Sequence, residues 1–212
     1  MEFGPKENSF FKLSTGSSIV FSMKKSFVLY CLLVFLLNAS SVLAKTISIS
    51  AQDKPNLSAV LGSMDPYDTL IIRKGVYYGN LIEIGTPVVI LGEEGAIIDG
   101  QFGEEIFIIS SNEVVLENLI IRNVGVSYIK DRAAIRLNNV SDVKIIKNQL
   151  LNTFFGIYLQ KSNHCLIDGN TVTGAAEDES KAGNAIHIWQ GKRIQVTNNT
   201  VKKLKLIAFR RI

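Results

Sequence analysis

The chain has 212 residues, 47% of them hydrophobic and 20% charged, with a formal charge of +4. Such a composition suits one sizeable globular domain and excludes a disordered or coiled-coil chain, since prolines number only four and no heptads occur. Without residues 1–44 the excess falls to +2 (19 basic against 17 acidic), and with no aromatic-rich basic platform it gives no footing for nucleic acid as a partner.

Residues 1–22 precede a second methionine and read as an upstream extension outside the fold. Residues 23–44 have the three parts of a secretory signal peptide: Met23-Lys24-Lys25, an apolar run of 11 residues from Phe27 to Leu37, and Val42-Leu43-Ala44 before a polar Lys45. Cleavage is expected after Ala44. The run is shorter than the roughly 20 apolar residues of a membrane span, so no stable transmembrane segment is expected in the mature chain; an uncleaved anchor is the alternative. Cys31 lies inside the apolar run and does not read as a lipoprotein site. Cys165 is then the one cysteine left, which allows no internal disulfide and reads as a small buried hydrophobe.

Residues 45–64 read as an N-terminal strand, Lys45–Ser50, and a short helix over Asn56–Met64 with Leu57, Val60, Leu61 and Met64 on one face and Pro55 at its start. Residues 65–201 read as coils: short apolar strands at 81–84, 88–91, 97–100, 106–109 and 114–121 alternate with Gly-containing bends and leave no room for crossover helices. Three later segments share the template apolar-x-apolar-x-x-Asn-x-apolar: Val143–Leu150, Cys165–Val172 and Ile194–Val201. Their asparagines, Asn148, Asn170 and Asn199, are 22 and 29 residues apart. A period of about 22 residues built on period-2 alternation is the mark of a β-solenoid whose coils bury an inner face by stacking.

Before each template stands a second strand opening on a small residue, Ala134–Leu137, Gly156–Leu159 and Ala185–Ile188, so two strands per coil are accounted for and about six coils are expected. The asparagines are read as a structural ladder at a left-handed corner, with amides bonding along the axis. Seven extra residues fall in the polar insertion Gly174–Asn184, which bears Glu177, Asp178 and Glu179 and is either a binding loop or a solvated charge run. Residues 202–212 read as an irregular basic tail of a truncated solenoid. The fold expected is all-β, a right-handed parallel β-helix with an N-terminal capping helix, because an open solenoid end exposes strand edges.

The order of strand, short helix, DPYDTLIIRKGVYYGNL, VVILGEEGAIIDGQ, EVVLENLIIRNVG and Asn-cornered coils resembles the right-handed parallel β-helix proteins of the pectin lyase superfold. More narrowly, Gly183–Val201 (GNAIHIWQGKRIQVTNNTV) resembles NosD, the exported accessory protein for nitrous oxide reductase maturation, also described as a periplasmic copper-binding family. The resemblance implies a periplasmic, non-catalytic protein that works with ABC-type transporter subunits and nitrous oxide reductase, with copper as a ligand. The NosD proteins have further coils that this chain lacks.

Stacking the well-phased coils puts Arg136, Tyr158 and His187 on one outward ladder and Asn138, Gln160 and Trp189 on the next, a candidate face for a partner or a sugar ring. Copper would draw on imidazole, thiolate or thioether donors; the mature chain offers His187, His164, Cys165 and Met64, with His187 and His164 as the outward pair. A polysaccharide-active enzyme would instead need carboxylates converging on one face. The ladders show no outward Asp or Glu across neighbouring coils, and Asp131, Asp142 and Asp168 fall in bends at scattered phases. No catalytic residue is therefore assigned.

Overall fold

In this computed structural model, which describes residues 43–127, 129–174 and 183–210, the apolar alternation resolves into strands of three to six residues joined by bends. The upstream extension, nearly all of the leader and the 177–179 acidic run lie outside the described residues. Every strand pairs in parallel with its equivalent one coil away, and three sheets result.

The first sheet stacks β1 (Thr46–Ile49), β2 (Thr69–Ile72), β5 (Val89–Gly92), β8 (Val115–Glu117), β11 (Lys144–Ile146), β14 (Leu166–Asp168) and β17 (Gln195–Thr197). The second stacks β3 (Gly75–Tyr78), β6 (Ala96–Asp99), β9 (Ile120–Arg122), β12 (Gln149–Thr153), β15 (Thr171–Gly174) and β18 (Thr200–Lys202). The third stacks β4 (Ile82–Ile84), β7 (Phe107–Ile109), β10 (Ala133–Asn138), β13 (Phe155–Gln160), β16 (Asn184–Trp189) and β19 (Lys205–Arg210). Six coils of three strands follow from β2 to β19, with β1 as an extra rung ahead of them.

The core is a set of axial columns. Leu70, Ile90, Leu116, Ile145 and Ile167 are in register in the first sheet, and Ile82, Phe107, Ile135, Ile157 and Ile186 in the third, all at 1% exposure or less. Each such side chain contributes about 1.5–3 kcal/mol by leaving water. The helix α1 (Leu57–Gly62) is shorter than its sequence pattern: Asn56 rather than Pro55 makes the start, its Oδ1 accepting from Ala59 N at 3.1 Å. Its Leu57 and Leu61, with Met64, join the core beside β4.

Three details correct the sequence reading. The eight-residue template is two strands, not one; Lys144–Ile146 and Gln149–Thr153 belong to different sheets, with the Asn148 corner between them. The left-handed residue at each corner is the one before the asparagine, Lys147, Gly169 and Asn198 with φ of 53°, 66° and 55°. The tail read as irregular contains β19, which pairs with β16 in the register Ile186↔Ile207.

The asparagine ladder itself is continuous. Asn148 N donates to Asn170 Oδ1 at 2.9 Å and Asn170 N to Asn199 Oδ1 at 2.8 Å, while the Nδ2 groups reach Leu116 O, Ile145 O and Ile167 O at 2.8–2.9 Å. Where the earlier coil has Leu119, its backbone N still donates to Asn148 Oδ1 at 3.0 Å. The amides thus satisfy backbone groups that the sharp bends remove from the strand ladders.

Candidate functional site: the outer face of the third sheet

Parallel pairing fixes the two outward columns. Arg136 is opposite Tyr158, and Tyr158 opposite His187; Asn138, Gln160 and Trp189 are in register two residues on. The six residues expected to share a wall do so. Their side chains also stack: the Arg136 guanidinium lies 4.3 Å from the Tyr158 ring centroid, and the Tyr158 and His187 rings are 4.6 Å apart at 18°. Phe155 closes the column from the side, edge-on to both rings at 5.6 Å. Tyr158 is consequently buried, whereas His187, Gln160 and Trp189 are half-buried and Asn138 is exposed. Lys161 Nζ stands 5.9 Å from the Trp189 ring centroid.

Beside the columns runs an open groove of about 480 Å³. Glu104 and Glu105 reach it from the bend before β7, and Asp131 and Arg132 from the bend before β10. The sequence reading missed this charged rim. Its signal was position: both bends immediately precede third-sheet strands, so their residues collect at one edge of the same face. The two glutamates are already engaged. Glu105 binds Arg136 through both Nε (2.7 Å) and Nη2 (2.5 Å), Glu104 binds Arg132 at 2.5 Å, and Arg136 also donates to the Asp131 backbone carbonyl. The buried Nε–H of Arg132 meets no acceptor among the described residues. Glu105 is not on the ladder, but from the bend before β7 it reaches Arg136 itself.

The copper donors do not assemble. His164 is exposed in the bend before β14, its backbone N donating to Lys192 O at 3.0 Å. His187 lies mid-strand in another sheet, its Nδ1 3.0 Å from Asn184 Nδ2. Cys165 is buried, and that burial pushes its thiol up, away from the thiolate a metal needs. Met64 is under α1. Among the described residues no group of three His, Cys, Asp or Glu could hold a metal ion, so no step is derived through one.

Asp168 belongs to the scaffold. Thr197 Oγ1 donates to it at 2.6 Å and Asn198 Nδ2 at 2.8 Å, and these bonds, the hydroxyl first, hold its carboxyl below the usual range. Asp99 is also held low: burial opposes ionisation, but the Asn123 amide, the Gln101 backbone N–H and Arg122 outweigh it.

A family model described as the right handed beta helix region matches residues 89–203, from the first residue of β5 to just past β18. No curated protein and no solved structure matches the chain.

Proposed function

The chain belongs to the right-handed β-helix family, and from that premise we propose that it is an exported, non-catalytic accessory protein whose third-sheet face docks a partner during copper-site assembly of nitrous oxide reductase. The assignment to that pathway, with ABC-type transporter subunits and periplasmic location, rests on the sequence resemblance of Gly183–Val201 to NosD. The docking face rests on geometry. One observation carries it: the groove's Glu104 and Glu105 are each neutralised by an arginine, beside a pre-stacked Arg136, Tyr158 and His187 column.

General acid–base work needs a carboxyl group available to exchange a proton with substrate. A glutamate whose oxygen is bonded to a guanidinium is occupied and oriented, which suits recognition instead. Rigid aromatic and arginine side chains are the residue types that dominate protein contacts, and here their rotamers are fixed before any partner arrives. Copper enters as the partner's cargo, and this chain supplies position.

The test is the copper content of nitrous oxide reductase from cells lacking this chain, complemented with wild type or Trp189→Ala. Restoration by wild type and at least tenfold weaker restoration by Trp189→Ala at equal protein level is the expected outcome. A fully copper-loaded reductase in the deletion strain contradicts the proposal.

A second reading, a polysaccharide-binding or polysaccharide-degrading β-helix protein, is favoured by the neighbouring Gln160 and Trp189 at the groove, an amide beside an aromatic plane as a sugar subsite requires. Trp189 is the chain's single tryptophan, so its emission reports directly on oligosaccharides added to the protein. A saturable change in emission supports this reading, and fragments released from the glycan would establish a catalyst.

A further inference from the structure

The strongest unassigned polar contact lies at the opposite end of the chain. Asp68, at the entry to β2, is fully buried at 0% exposure. Its Oδ1 accepts from the backbone N of Lys45 at 2.8 Å, and its Oδ2 accepts from Asp65 N at 2.9 Å. The Lys45 side chain reaches back to the same bend, Nζ lying 2.9 Å from Asp65 and 3.4 Å from Asp68. Thr69 N donates to Lys45 O at 2.9 Å, which starts the β1–β2 ladder. Thus a buried carboxylate is aimed at one particular backbone nitrogen. Its partners there, foremost the Lys45 backbone N–H, hold the carboxyl below its usual range although burial opposes this.

Lys45 is also the residue that follows the small-residue end Val42-Leu43-Ala44. Two independent features therefore converge on a single atom, the processing pattern in the sequence and the buried carboxylate in the fold. We propose that hydrolysis of the Ala44–Lys45 bond creates the structural partner of Asp68: the new α-ammonium of Lys45 replaces an amide N–H with an ion pair and pins β1 as the first rung of the solenoid.

The step is an ordinary peptide hydrolysis by an endopeptidase of the export machinery. One water is consumed, Ala44 keeps a carboxylate, and the released Lys45 amine takes up a proton. An amide presents one hydrogen to Asp68, whereas an ammonium presents three and a full charge. Burying a charge is costly unless it is paired and hydrogen-bonded; the uncleaved chain gives Asp68 two backbone N–H donors and the Lys45 Nζ at 3.4 Å, and the cleaved chain adds a second cation in direct contact. Leader removal and closure of the N-terminal end are thereby coupled. This inference is independent of the docking face.

The full chain is exported from a host that processes leaders, and its N-terminus is read by mass spectrometry. Lys45 as the first residue is the expected result; any other start overturns the proposal. The mature protein is then compared with the same protein acetylated at its α-amine. Blocking should lower Tm by about 2–4 °C, the shift that corresponds to roughly 1 kcal/mol in a domain of this size. In Asp68→Asn the two forms should melt together. Equal Tm in the native sequence, or an undiminished difference in Asp68→Asn, contradicts the ion pair. Should Asp68→Asn not fold, α-amine labelling decides: folded mature protein should react at least tenfold more slowly than the unfolded chain, and equal rates sink the idea.

Discussion

At the scale of single residues, the buried amides and carboxylates carry the specific energetics. Asn170 satisfies Asn148 N and Ile145 O, both in the preceding coil, and both Asn170 and Asn148 are at 0% exposure. Asn170→Ala orphans two buried backbone groups at about 1–3 kcal/mol each. A loss of about 3 kcal/mol is expected by denaturant unfolding, against about 1 kcal/mol for Asn199→Ala at its half-buried rung. The aspartates set the acid limit. A carboxyl whose folded pKa is lowered adds stability above its unfolded value, near 3.9, and that stability is lost as pH falls through the lower folded value. Asp99 and Asp168 are both lowered. Their contribution is therefore constant from neutral pH to about 5 and collapses below about 4, and Asp168→Asn should flatten part of the fall in Tm over that acid range.

Among elements, β13 is tightly constrained by the coil that follows it. A Cβ on Gly156 would lie 2.5 Å from Ala185 O and 2.6 Å from Val172 Cγ1. Gly156→Val must therefore push the coil of β16 away, at about 1–3 kcal/mol or more, and thermal unfolding should show that loss. The small opening residue read from the repeat is thus explained at this coil by backbone approach from the next one. Much of the architecture was legible because stacking imposes one phase on every coil: the axial asparagines, the inward isoleucines and the outward pairs at 136/138, 158/160 and 187/189 all follow from it. What the period could not show lies where the period lapses. Bends have no fixed phase, so Glu104, Glu105 and Arg132 could not be placed from spacing. The two strands inside the template were merged because the left-handed corner residue differs from coil to coil, Lys147, Gly169 and Asn198, so no single residue type marks it. Nor does a repeat disclose partners such as Asp68 and Lys45, which meet across one coil at its irregular beginning.

The described residues form a one-dimensional stack, so their stability is the sum of coils and the interfaces between them. Amide exchange should be slowest in β8, β11 and β14, which have neighbours on both sides, and fastest at β17 to β19; uniform protection would contradict that picture. The end next to α1 should respond to the cap. Leu61→Ala, a buried position in α1, should cost about 2–4 kcal/mol and raise exchange in β2 to β4 before the later coils. Regular stacking also explains how the outer face of the third sheet is held: each coil adds one side chain per column, and Arg136, Tyr158 and His187 rest on one another.

The most direct measurement is the affinity of the purified mature protein for nitrous oxide reductase, wild type against Trp189→Ala and Arg136→Ala, with circular dichroism confirming unchanged β-structure. The docking face predicts saturable binding by wild type and at least tenfold weaker binding by both variants. Equal affinity of the folded variants, or no binding by wild type, would contradict it.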